Sequence, residues 1–284
     1  MASARVAGTT AQRPDAAGMA GSHGRARDWA EIQERMLVPL YQAVFERLEV
    51  GPATSVLSLG CRSGLALLLA AARGAQVCGQ EPEAELRELA EGRGLRVLAE
   101  SAGGVRGPQQ PSREVTRTAY GIPRAAHSLV TVFEQLPYVR DPAVLVAEAA
   151  GLTMLDGHLV LASWGPPERC ESAGALDVAR RLSVRTPACT PFALSGPGAL
   201  EDLLGGAGLR PAGSGRVHCP FAYPDLESAV RGMLSTGLFE TAVEDSGPTL
   251  VGKELEESLH PYVQADGSVR MANVFRYVVA EQRR

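Results

Sequence analysis

Lysine is all but missing from this chain of 284 residues: Lys253 is the only one, and arginine supplies the rest of the 28 basic side chains. Set against 32 acids, they leave a net charge of −4, so no basic field is present to grip a phosphate backbone and nucleic acid is not the expected substrate. The bias toward Arg, Ala and Gly matches GC-rich coding and carries no functional signal. No CxxC pair occurs. The five cysteines (Cys61, Cys78, Cys170, Cys189 and Cys219) are scattered and odd in number, which predicts a reducing, cytoplasmic setting without a zinc site. A long apolar run is also lacking. Residues 1–26 are rich in Ala, Gly, Ser and Arg, and read as a mobile tail rather than a signal peptide or membrane span. Finally, there is no Walker A sequence, no EF-hand loop and no defensible Ser-His-Asp order, so metal catalysis has no support.

What is present is a 45% hydrophobic composition, enough for one large α/β domain with a sizeable core. The chain is organised around Val56-Leu57-Ser58-Leu59-Gly60-Cys61-Arg62-Ser63-Gly64, which reads as a strand, a tight glycine turn and the start of the apolar helix Leu65 to Ala72. Such a turn lets the backbone approach a ligand, and the following helix presents unpaired N–H groups to an anion. A second apolar segment, Gln76 to Gln80, ends in Glu81-Pro82, where dinucleotide folds place an acid on a ribose hydroxyl.

With these residues the sequence resembles the class I S-adenosylmethionine (SAM) dependent methyltransferases, whose first motifs read VLDxGCGxG and VxGxDxS. Leu129 to Val139 resembles the family's fourth strand and loop and Leu155 to Leu161 its turn into the fifth strand, while Trp164-Gly165-Pro166, Pro191 to Ser195 and Phe275 to Ala280 resemble bacterial small-molecule, natural-product enzymes. It implies a Rossmann-like, mostly parallel seven-stranded sheet with helices on both faces and a helical lid. It divides 27–284, read as a single domain, into a helical cap (27–52), a Rossmann core (53–164) and lid insertions (165–198 and 222–268). It implies SAM as cofactor, held by Gly60, Cys61, Arg62, Gly64, Glu81 and Pro82.

The departures from that pattern point elsewhere. Ser58 stands at the family's acid, Arg62 at its middle glycine and Ser128 at the acid before the fourth strand, and no acid occurs between Val115 and Phe133. An arginine at that glycine puts a long side chain where the methionine end of SAM should lie; alternatively, its guanidinium forks onto the SAM carboxylate. The expectation is therefore an eroded SAM site on an enzyme repurposed for cyclisation or rearrangement of a small molecule. The alternatives are a conventional O-, N- or C-methyltransferase and a non-catalytic partner protein, and a homodimer or a pathway partner stays open.

The fourth strand, Leu129 to Phe133, delivers Glu134 to Tyr138 into the crevice. Glu134 is the leading candidate for acid–base work, since desolvation raises a carboxyl toward neutral pH; a Glu that merely holds a loop reads the same. Tyr138 and His218 complete the catalytic candidates. His218 has no second group at diagnostic spacing and reads equally as a structural histidine. Helices are expected over 30–48 (two, broken at Pro39), from Pro82 to about Glu91, from Asp141-Pro142 to Ala150, and over 172–183, 197–206, 223–236 and 253–262. Further strands are expected over 95–98, 159–163, 217–221 and 271–280.

Overall fold

In the computed structural model, described over residues 22–99, 125–185 and 190–282, a seven-stranded sheet runs in the order β3-β2-β1-β4-β5-β9-β6. Its strands are β1 (Ser55–Leu59), β2 (Gln76–Gln80), β3 (Val97–Leu98), β4 (His127–Val132), β5 (Thr153–Trp164), β6 (Arg210–His218) and β9 (Val274–Glu281). Pairings from β3 through β5 are parallel, and β9 runs antiparallel to both β5 and β6. The strand order reverses between β1 and β4, which opens a crevice at their C-terminal ends.

Alternation along β1 and β4 divides the core. Val56 and Leu129 face the side covered by α2 (Val38–Arg47) and α3 (Leu65–Ala72), whereas Leu57, Leu59, Val130 and Val132 face α5 (Pro142–Leu152) and α7 (Ala199–Gly206). Helix α5 starts as its sequence dictates: Asp141 accepts from the N–H groups of Ala143 and Val144, and Pro142 occupies the first turn. The helix α4 (Ala84–Gly92) begins two residues after Pro82, because Glu83 is the extended residue at its start.

Over the crevice lie two layers of helix. From the N-terminus, α1 (Ser22–Asp28) runs without interruption into a π turn (Trp29–Gln33), a 3-10 turn (Glu34–Leu37) and α2, with Pro39 tolerated in the first turn of α2. The lid comprises α8 (Leu226–Ser235), α9 (Glu240–Ser246) and α10 (Pro248–Leu259), against which α6 (Ala173–Arg181) packs.

Several expected elements differ. The stretch 217–221 is not one strand: β6 begins at Arg210, and Phe221–Tyr223 forms a separate strand β7 paired with β8 (Val269–Met271). Pro211 sits within β6 because that strand is the sheet edge and bulges between Pro211 and Gly213. The final strand is likewise split at 272–273 between β8 and β9. The helix expected over 253–262 is α10, which begins earlier, with Pro248 in its first turn, and α9 before it was not expected. The loop expected over 101–111, Cys189 and the tail before residue 22 lie outside the described residues.

Candidate functional site

The turn after β1 carries three left-handed residues, Gly60 (φ 64°), Arg62 (φ 53°) and Gly64 (φ 89°). For Gly60 the conformation is free, and a Cβ there would collide with the side chain of Gln135, which covers the glycine where a ligand backbone contact would be made. A Cβ at Gly64 would run into Leu95 and press on Ala90, so this glycine lets the turn pack closely on α4 and the segment after it. Arg62 has no such freedom; a left-handed arginine costs about 1–2 kcal/mol.

That cost is offset by what the side chain reaches. The Arg62 guanidinium lies between two rings, 4.6 Å from the centroid of Trp29 and 4.7 Å from that of Tyr138. Its Nη2 donates to the carbonyl oxygen of Thr236 in the lid at 2.8 Å, and the Tyr138 hydroxyl donates to the same oxygen at 2.7 Å. Its Nη1 lies 3.7 Å from Glu83, which is itself paired with Arg25 at 2.6 Å. The Arg62 Nε is buried without a hydrogen-bond partner. Burial works against the charge of this guanidinium, but Tyr138, Glu134, Glu81 and Glu83 outweigh it, and the pKa is raised.

Glu81, buried just after β2, is engaged by two backbone groups, one of the glycine turn and one of its own loop. One oxygen accepts from the Arg62 N–H at 2.7 Å and the other from the Glu83 N–H at 3.0 Å. Burial raises its pKa, against the opposing pull of Arg62 and these donors. Beside it lies an outer cavity of about 580 Å³, walled by Arg62, Glu81, Pro82, Gln135, Tyr138 and Leu145 among others.

On the other side of the Arg62 stack is a small inner cavity of about 40 Å³, lined by Trp29, Phe133, Glu134, Trp164, Phe221 and Phe275 among others. Trp164 anchors its aromatic wall, with its ring centroid 4.4 Å from Phe275 and 5.7 Å from Phe221. Glu134 accepts a short hydrogen bond from Tyr41 of α2. Burial pushes the Glu134 carboxyl up to about 7, only partly opposed by Arg62 and the Tyr41 bond. Burial and Glu134 together hold the Tyr41 hydroxyl well above its ordinary pKa. At neutral pH the pair can therefore give or take one proton at Glu134.

A third network ties the cap to the glycine turn. Glu34 accepts from Ser63 and receives the Arg93 guanidinium through two bonds of 2.7 and 3.0 Å.

Of the residues singled out from sequence, Arg62, Glu81, Glu134 and Tyr138 converge on one locus, and Pro82 lines the outer cavity. Cys61 does not offer its side chain there: its sulfur fills the space beside Gly79, and burial pushes the thiol up. His218 is exposed on edge strand β6 and lines neither cavity. Sequence reasoning missed Glu34, Arg93 and Thr236. A charged residue on a helical cap reads as solvated, and Thr236 acts through its main chain, which leaves no sequence signal. Among the described residues, no group of three or more His, Cys, Asp or Glu could hold a metal ion, and no helix is long and apolar enough to cross a membrane.

No protein-family model and no curated protein matches the sequence. Solved structures do match in fold. The protein solved in complex with the Trm112 methyltransferase activator of Haloferax volcanii superposes with a TM-score of 0.55 at 15% identity, over 93% of this chain and 98% of that one. BH2331 of Bacillus halodurans C-125, assigned as a methyltransferase, gives 0.52 at 14% identity, over 86% and 99%. The [4+2]-cyclase SpnF gives 0.50 at 15% identity, over 86% and 80%. With its reversed sheet order, glycine turn and lid, this chain has the fold of the class I SAM-dependent methyltransferases.

Proposed function

We propose that this protein is a cytoplasmic enzyme of bacterial small-molecule (natural-product) biosynthesis that uses the methyltransferase fold without SAM, for a cyclisation or rearrangement in the inner cavity. The observation that carries the reading is the position of Arg62: its guanidinium fills the space between Trp29, Tyr138 and Thr236 at the glycine turn. In our reading the turn as arranged does not fit SAM. Gln135 covers Gly60, both oxygens of Glu81 already accept backbone N–H groups, and a fixed cation stands beside the turn. That one protein of this fold is a [4+2]-cyclase supports the reading.

Chemistry of this kind needs no outside reagent. Glu134, protonated, gives its proton to a substrate oxygen as the skeleton rearranges and takes one back from carbon when the product forms, so that atoms and charge balance. Tyr41 holds the carboxyl in place and Arg62 stabilises it once it is an anion. Dry aromatic walls hold the reactive conformer and keep water out. At about 40 Å³ the cavity holds about three waters and no substrate, so entry requires the segment from Thr236 to Leu238 to swing away.

One observation favours a second reading, a conventional methyltransferase: the outer cavity beside Glu81 and Pro82 is large enough for a nucleoside. The relative solved with a methyltransferase activator lends support to a role with a protein partner. Calorimetric titration with SAM and with S-adenosylhomocysteine decides between them. We expect no heat of binding with either ligand up to millimolar concentration; one-to-one binding in the micromolar range overturns the SAM-free reading.

A further inference from the structure

Trp29 is only 3% exposed, lines the inner cavity, and has an indole Nε1 with no hydrogen-bond partner. An orphaned donor of this kind is rare in a folded protein, because losing its water without a replacement costs about 1–3 kcal/mol. Two acceptors in the same lining are already engaged: Gln33 Oε1 accepts from the Tyr223 hydroxyl at 2.8 Å, and Glu134 Oε1 accepts from Tyr41. The backbone at Trp29 is special too. Trp29–Gln33 is a π turn inserted into an otherwise α- and 3-10-helical run, and such insertions recur at functional sites because they re-aim one side chain at a modest cost. The rest of the wall is mostly apolar, from Leu37, Phe133, Trp164, Phe221, Leu238 and Phe275, with Tyr138, Ser163 and Thr236 also lining it.

We infer that the inner cavity is built to take an apolar, ring-bearing molecule that carries one acceptor oxygen, and that Trp29 Nε1 donates its hydrogen bond to that oxygen. The inference rests on the inner cavity being the substrate site. It assigns Trp29 as a substrate-binding residue and a ketone, ester or ether oxygen on a carbon skeleton as the group that is recognised. A purely hydrocarbon ligand leaves the donor orphaned.

The chain contains two tryptophans, and both line this cavity, so the two indole N–H signals of the protein report on it directly. The probes are 1-indanone and indane, which match in shape and differ by one carbonyl. Wild type, Trp29→Phe and Trp164→Phe are titrated with each and followed by 1H–15N correlation of the indole groups. The Trp29 signal is identified as the one that survives in Trp164→Phe. We expect 1-indanone to bind about tenfold more tightly than indane and to move the Trp29 proton downfield, and Trp29→Phe to lose that preference. A preference that survives in Trp29→Phe, or a Trp29 proton that responds equally to both probes, overturns the inference and leaves the cavity as substrate site. Failure of either probe to bind any of the three proteins overturns both together. Should Trp29→Phe fail to fold, the downfield shift in Trp164→Phe decides alone.

Discussion

Replacing Arg62 by glycine tests the central feature of the site. Glycine at φ 53° removes about 1 kcal/mol of backbone strain. Against that, the variant loses two ring contacts on the guanidinium, at about 1 kcal/mol each in this buried stack, and a charge-assisted bond to Thr236 of about 2 kcal/mol. The net expectation is a destabilisation of about 3 kcal/mol, which for a chain of this size lowers Tm by about 6–10 °C. Urea unfolding and differential scanning calorimetry measure it. Because the lost contacts join the glycine turn to the lid, amide exchange should also accelerate between residues 236 and 240 in the native protein. Loss of stability without faster exchange in the lid would mean that the guanidinium stiffens the turn alone. A variant as stable as wild type would refute the reasoning, since the contacts would then do no more than balance the strain.

Two further outcomes are expected. A carboxyl raised from the ordinary range to about 7 binds its proton more tightly in the folded state, so its contribution to stability is full below about pH 4.5 and lost as pH rises through 7. Glu134→Gln, which keeps an acceptor for Tyr41, should therefore be more stable than wild type at pH 8, by up to about 3 kcal/mol, and gain nothing at pH 4; equal differences at the two values would place the titration elsewhere. Glu34→Ala should cost about 2–3 kcal/mol, at the low end for a buried ion pair because Arg93 is partly exposed and regains water. Urea titration measures the loss, and retention of full stability would remove the Glu34 network from the account.

Much of the Rossmann core was legible because its signals are local. The apolar run Val56 to Leu59, the two glycines after it, and Asp141-Pro142 each specify their own backbone geometry, and strand β1 and helix α5 begin where those residues say. The C-terminal third was less legible because its boundaries are set by partners. A strand through Pro211 is acceptable only at a sheet edge, and the split at 272–273 exists because Met271 pairs with β7 while Val274 pairs with β6. In the site, Arg62 stood out as a residue of the wrong kind at its position. Its destination did not, because Trp29, Tyr138 and Thr236 arrive from segments far apart in sequence. Glu134 was identifiable from its place at a strand end, whereas His218 was drawn in by residue type alone and lies on the exposed edge.

The π turn at Trp29–Gln33 has a consequence for how this chain tolerates insertions and deletions. A π turn holds one residue more than the α-helical turn it replaces, so removing a single residue between Ala30 and Gln33 should relax it into regular helix. The helix before it keeps its phase relative to α2, because the turn loses only its extra residue. The ion pairs of Arg25 with Glu83 and of Asp28 with Arg231 should therefore survive such a deletion, whereas removing one residue from the α-helical part of α2 rotates everything before it by about 100° and breaks them. The turn is thus where this helix tolerates a change of length.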